Sequence, residues 1–160
     1  MPIASRMEEV RSEIAAVAEA VPAARVLMQA VCQLLHDRML KYNWVGFYML
    51  ESGTQPPVLV LEAFVGAMTP HTRIPLNQGI CGAAASSGKT IVVDDVSKDS
   101  RYLACSLETK SEIVVPVFVN GKVAGELDID SHFAAAFGAE DQELVQYCAQ
   151  VVGKKLERSR

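Results

Sequence analysis

The sequence predicts an α+β fold, with helices at both ends layered on a mostly antiparallel sheet that carries one helical insert. Three observations predict it. Apolar residues recur at helical spacing only near the two ends and in one short small-residue segment. The strands between are joined in series by hairpins more than by helical crossovers, which favours an antiparallel sheet over a parallel one. The pair Asn120-Gly121 stands between two apolar runs, the strongest short-range signal for a hairpin.

Each element follows in order. From Met7 to Ala20 the apolar positions Val10, Ile14, Val17 and Ala18 mark one helix face. Pro22 ends that helix or opens the next. A second helix spans about Ala23 to Leu40, with Val26, Leu27, Val31, Leu34 and Leu35 on one side. "WVGFYML", Trp44 to Leu50, reads as a strand, "SGTQPP" as a turn and "VLVLEAF" as the strand that returns. "QGICGAAASSG" reads as a short helix with Gly88 placed to end it. "TIVVDD" is another short strand, and the stretch from Val96 to Lys110 is a long polar loop. "EIVVPVFV" and "KVAGELDID" form the Asn-Gly hairpin. A closing helix runs from Gly138 to Leu156, with Leu144, Val145, Cys148, Val151 and Val152 buried. The 160 residues read as a single domain over 1–160, with no repeat, linker or low-complexity tract.

Composition narrows the class of function. Half of the residues are hydrophobic and 21% are charged, the balance of a soluble globular chain. A net charge of −4 with no basic run speaks against a nucleic-acid partner. No apolar stretch approaches the roughly 20 residues that span a bilayer. Acidic residues follow the N-terminus directly and no apolar core precedes them, so it does not read as a signal peptide. A cytoplasmic location is expected, in which the four cysteines stay reduced unless they do redox work.

Four groups of residues are candidates for chemistry. Cys105 lies in a polar loop beside Ser106, Thr109 and Ser111. Structural cysteines are usually buried among hydrophobes, so this one is either reactive or covered by Leu103 and Ala104. Cys81, between glycines in "QGICGA", is either a small packing residue or a thiol near a helix start, where the positive end of the dipole lowers its pKa. Cys32 and Cys148 fall on apolar helix faces and read as core. No two cysteines lie close in sequence and none has a histidine at ligand spacing, so no zinc site is expected. Asp128 and Asp130 project from one strand face, and the hairpin brings Glu112 to the same end. They are either a solvated strand end or a cluster whose like charges call for a cation or a shared proton. Three carboxylates there suit an ammonium group and leave a proton donor over. Trp44 and Tyr48 share a strand face, as core residues or as the wall of a ligand site.

The segments "NWVGFY", "TRIPLNQGICGAA", "YLACSLETKSEIVVPV" and "LDIDS" resemble the signature segments of free methionine-(R)-sulfoxide reductases, which are GAF-domain enzymes of about this length. "RIPLNQGICG" alone is generic to GAF domains. "AC" followed by "SEIVVP", together with "LDIDS", is far more specific. The resemblance runs from the second helix to the last. It implies a GAF-like fold, a six-stranded mostly antiparallel sheet with the terminal helices on one face and a ligand pocket on the other.

The resemblance also implies roles. Cys105 falls on the catalytic cysteine and Cys81 on a cysteine that assists or substitutes in resolution. Glu112, Asp128 and Asp130 fall on the substrate-binding acids. Trp44 and Tyr48 fall on the residues that wall the methyl-thioether end. Just before "TRIP", where that family commonly has a third cysteine as its main resolving thiol, this chain has His71. His71 is therefore a possible auxiliary residue, and Cys81 is the obvious intramolecular partner for Cys105. The implied reaction is thiol-dependent reduction of free methionine-(R)-sulfoxide through a Cys105 sulfenic acid. It needs no bound cofactor or metal, uses thioredoxin or another dithiol as reductant, and belongs to a homodimer. The alternative is a non-catalytic GAF module that binds a small ligand as a sensor.

Overall fold

The structure is a computed structural model that describes residues 3–103 and 107–159, with side chains from Arg6 onward. Cys105 lies outside the described residues. The elements run α1 (Ile3–Ala20), α2 (Ala24–Arg38), β1 (Trp44–Glu51), β2 (Val58–Val65), β3 (Arg73–Pro75), α3 (Gly79–Ser87), β4 (Ile91–Val93), β5 (Ser111–Val119), β6 (Lys122–Ser131) and α4 (Ala139–Arg158). A 3-10 turn at Val96–Lys98 follows β4.

The six strands form one sheet in the order β3-β2-β1-β6-β5-β4, and every neighbouring pair is antiparallel. The order puts the β5–β6 hairpin and β1 at the centre. Asn120 and Gly121 both take positive φ, 53° and 78°, as a two-residue hairpin turn requires. The edge strand β3 is an element that periodicity does not reveal. It is three residues long, too short for an alternation to register, and it forms because Arg73, Ile74 and Pro75 pair with Val60, Leu59 and Val58.

Alternation along the central strands separates two cores. On one face Val45, Phe47, Ile113, Val115, Leu127 and Ile129 pack with Val10 and Ile14 of α1, Leu27, Val31 and Leu35 of α2, and Val145, Cys148 and Val152 of α4. On the other face Trp44, Tyr48 and Val114 pack with Ile80, Cys81, Ala84 and Ala85 of α3. The start of α4 is held by Asp141, whose Oδ2 accepts from the Gly138 N–H at 3.1 Å. Its Oδ1 accepts from the Tyr42 hydroxyl at 2.6 Å. At the end of α3, Gly88 sits in the left-handed region with φ 68°, the expected glycine stop. Cys32 and Cys148 both lie at 0% exposure in the helix-side core, as their apolar faces predict.

A buried carboxyl cluster beside a thiol

On the α3 side of the sheet, polar residues occupy positions that burial reserves for apolar ones. The residues of β6 alternate, so Leu127 and Ile129 enter the helix-side core while Glu126, Asp128 and Asp130 project together to the other face. Register then sets their neighbours. Asp130 stands between Trp44 of β1 and Glu112 of β5. Asp128 stands between Gly46 and Val114, and Glu126 between Tyr48 and Pro116. Four carboxyls thus share one face of two central strands, at exposures of 5% for Glu112, 0% for Glu126, 3% for Asp128 and 3% for Asp130. The solvated strand end that the sequence left open is excluded.

Burial sets the charge state of the cluster. It raises the pKa of all four acids, because a carboxylate loses more hydration than a carboxylic acid. Repulsion from Asp128 and Asp130 pushes Glu112 up further, and Asp128 does the same to Asp130. Burial and the two aspartates favour the protonated form of Glu112, and its hydrogen bonds to them partly restrain the rise at each. Asp128 Oδ1, Asp130 Oδ1 and both oxygens of Glu126 have no hydrogen-bond partner among the described residues.

Cys81 is the third residue of α3 and is 6% exposed. Its Sγ donates to Asp128 Oδ2 at 3.4 Å. The helix start is where the sequence puts it, but the expected lowering of the thiol pKa does not follow. Burial raises it well above its ordinary value, and Asp128, Glu126 and Glu112 add to that. A helix-end dipole is equivalent to about half a charge, which several buried acids outweigh.

Trp44 and Tyr48 pack together in the α3-side core, and of the two Tyr48 borders the cavity beside Cys81 while Trp44 does not. Their rings lie 6.2 Å apart, and Trp44 stacks on Phe64 at 5.8 Å. The Trp44 indole N–H donates to the Ala67 carbonyl at 3.0 Å, and its ring covers Gly46, where a Cβ would come within 2.4 Å of it. The Tyr48 hydroxyl donates to the His71 carbonyl at 2.7 Å, which ties His71 to β1. A cavity of about 20 Å³, enough for about one water, is bordered by Tyr48, His71, Ile80, Cys81, Glu112 and Asp128. Asp130 lies one strand pair along, beside Glu112. A wider depression of about 220 Å³ between α1 and α4 is bordered by Met7, Arg11 and Leu144, and none of the candidate site residues among the described residues lines it.

Glu126 is the residue that reading the sequence missed. The signal was present: it continues the two-residue spacing of Asp128 and Asp130 on the same strand face. It is a fully buried acid without a hydrogen-bond partner among the described residues, which is costly. Glu126→Met is expected to stabilise the fold by about 1–3 kcal/mol and to raise the unfolding midpoint by several degrees at this chain length. The gain should grow with pH. The folded state holds the Glu126 proton more tightly than the unfolded chain does, so wild-type stability falls as pH rises above the ordinary glutamate value toward the raised one. Thermal unfolding at pH 5 and pH 8 checks this, and a midpoint that drops at both would show that Glu126 stabilises the fold.

Comparison with known proteins agrees with this architecture. The GAF domain family model matches residues 24–156, and the chain belongs to that family. The chain is 39% identical to the free methionine-R-sulfoxide reductase of Escherichia coli K12 over 119 residues, which is 74% of this chain and 69% of that one. A free methionine-R-sulfoxide reductase from Neisseria meningitidis, solved in complex with its substrate, superposes with a TM-score of 0.92 at 34% identity, over 100% of this chain and 93% of that one. A type II free methionine-R-sulfoxide reductase from Thermoplasma acidophilum gives 0.79 at 44% identity, over 84% and 93%. Within the GAF domains, the chain belongs to the free methionine-R-sulfoxide reductase family.

Proposed function

We propose that this protein reduces free methionine-(R)-sulfoxide to methionine with Cys105 as the nucleophile. The observation that carries the reading is the cluster of buried, proton-holding carboxyls beside an aromatic wall, in a chain of this family. The sulfoxide S–O bond breaks and a bond from oxygen to the Cys105 sulfur forms. The thiol is oxidised to a sulfenic acid and the sulfoxide is reduced to a thioether. A carboxyl of the cluster protonates the sulfoxide oxygen as it leaves carbon-bound sulfur. Glu112 suits that role because burial and the neighbouring aspartates favour its protonated form. Asp128 and Asp130 hold the substrate ammonium, whose arrival favours their ionised form. Trp44 and Tyr48 pack on the methyl-thioether end.

Recycling needs a second thiol. The sulfenic acid condenses with it, releasing water, and a dithiol such as thioredoxin then reduces the disulfide. Cys81 is the intramolecular candidate, yet it is buried and held protonated, which disfavours the attacking thiolate. A small dithiol that reaches Cys105 directly is therefore the better reductant. A homodimer in the cytoplasm completes the proposal. Among the described residues no helix is long and apolar enough to cross a membrane.

The test is turnover of free methionine-(R)-sulfoxide, first with dithiothreitol and then with thioredoxin. Turnover with dithiothreitol and little with thioredoxin is expected. His71→Cys should raise the thioredoxin-coupled rate, because position 71 borders the same cavity as Cys81 and restores the family's third thiol. A linked Cys81–Cys105 peptide in high yield after one equivalent of substrate would overturn the direct route. No turnover with either reductant would leave the non-catalytic sensor module as the reading.

A further inference from the structure

The cavity beside Cys81 measures about 20 Å³, room for about one water. An amino acid with a sulfoxide side chain cannot enter it while its borders stay where they are. Most of those borders are fixed. Tyr48, Glu112 and Asp128 belong to strands that are paired on both sides. Ile80 and Cys81 belong to α3, whose Ile80, Ala84 and Ala85 are buried against the sheet. In the same helix Gly82 lies so near the Leu76 carbonyl oxygen that a Cβ would come within 2.7 Å of it.

His71 is a different kind of border. It belongs to residues 66–72, between β2 and β3, which form neither helix nor strand. Of these residues only Thr69 is buried, and its hydroxyl accepts from the His71 N–H at 3.1 Å, a bond within the segment itself. Gly66 opens the segment at φ 135°, a backbone state that glycine reaches readily. At the far end the Leu61 N–H donates to the Thr72 carbonyl at 2.9 Å. Between the ends, two side-chain tips from β1 hold the segment to the sheet. The Trp44 indole N–H donates to the Ala67 carbonyl at 3.0 Å, and the Tyr48 hydroxyl donates to the His71 carbonyl at 2.7 Å. Exposed segments with few buried contacts are the ones that open ahead of the rest of a fold.

We propose that residues 66–72 are a lid over the site, latched by the Tyr48 hydroxyl and the Trp44 indole N–H, and that substrate reaches the carboxyls when the lid lifts about Gly66. The two aromatic residues thereby set, through their polar tips, how often the site opens. Only the identity of what enters rests on the reductase reading. Periodicity could not reveal the latches, because each accepting carbonyl lies 23 residues from its donor and belongs to the backbone.

The experiment compares reduced, full-length Cys105→Ser protein with the same protein carrying Tyr48→Phe, which keeps the ring and removes the hydroxyl. Amide hydrogen exchange is followed by mass spectrometry, together with the rate at which N-ethylmaleimide labels Cys81, assigned by peptide mapping. Exchange in residues 66–72 and labelling of Cys81 should both become about fivefold faster, the factor that one hydrogen bond is worth, with β5, β6 and α3 unchanged. Trp44→Phe removes the other donor and should act in the same direction. Tyr42→Phe removes a hydroxyl that bonds Asp141 on the helix side and should leave both rates as they are. Equal rates with and without the Tyr48 hydroxyl would overturn the lid. So would faster exchange spread over β5 and β6, which marks general loosening, or a rise confined to α3, which puts the entrance there. Both readouts are taken without substrate or turnover, so failure of the lid and failure of the reductase reading are seen separately.

Discussion

Cys105→Ser is expected to lower turnover of free methionine-(R)-sulfoxide by on the order of a thousandfold or more, the usual consequence of removing a nucleophile. Cys32→Ser and Cys148→Ser should stay within a few-fold of wild type. The contrast follows from placement. Cys32 and Cys148 lie in the helix-side core, across the sheet from every carboxyl of the cluster. Burial pushes Cys148 up to about 12 and Cys32 higher still, so neither supplies a thiolate near neutral pH. Leu103, ahead of Cys105 in the chain, borders the cavity. Glu112, after it, is the acid proposed to protonate the sulfoxide oxygen, and burial favours its protonated form. Steady-state kinetics of the three variants, with circular dichroism to confirm folding, checks the expectation. Comparable rates for Cys105→Ser and wild type would sink the nucleophile assignment.

Sulfoxide within a peptide should react on the order of 10⁴-fold more slowly in kcat/KM than the free amino acid. A peptide-bonded methionine has no α-ammonium, so acids buried at 5% exposure or less would face a neutral amide without the cation that favours their ionised form. Sites built around such a partner reject analogues that lack it, because their buried polar groups are left unpaired. The S epimer should also react poorly, since it cannot direct its oxygen to Glu112 while its ammonium meets Asp128 and Asp130. Rates measured on free, N-acetylated and peptide-bound sulfoxide decide the matter, and equal rates on free and peptide-bound substrate would refute the role of the acids.

Much of this was legible in the sequence, for identifiable physical reasons. Helix faces were readable because α1, α2 and α4 each bury one side. The hairpin was readable because Asn120-Gly121 meets a backbone demand that few residue pairs meet. The acids were readable because strand periodicity puts Asp128 and Asp130 on one face and the hairpin returns Glu112 to them. β3 was not, since its existence depends on pairing with β2 rather than on its own pattern. Glu126 escaped notice because alternating polar residues ordinarily mean a solvated face, and only α3 lying over the sheet makes this one dry. The Cys81 environment was hidden for the same reason, as its acidic neighbours come from distant strands.

Gly46 has no functional group, yet the placing of the Trp44 ring depends on it. The Trp44 ring lies where the first carbon of any other side chain at 46 would be, 2.4 Å from its nearest atom. Alanine there would displace the indole from its place between Phe64 and Tyr48. In a saturation library selected for turnover, position 46 should thus tolerate as little as the acids do, although it touches no proton and no substrate. The same holds at Gly82, next to Cys81, where a Cβ would come within 2.7 Å of the Leu76 carbonyl oxygen. Mutational intolerance in this protein will therefore mark two kinds of residue, those that do the chemistry and those whose missing side chains make room for it.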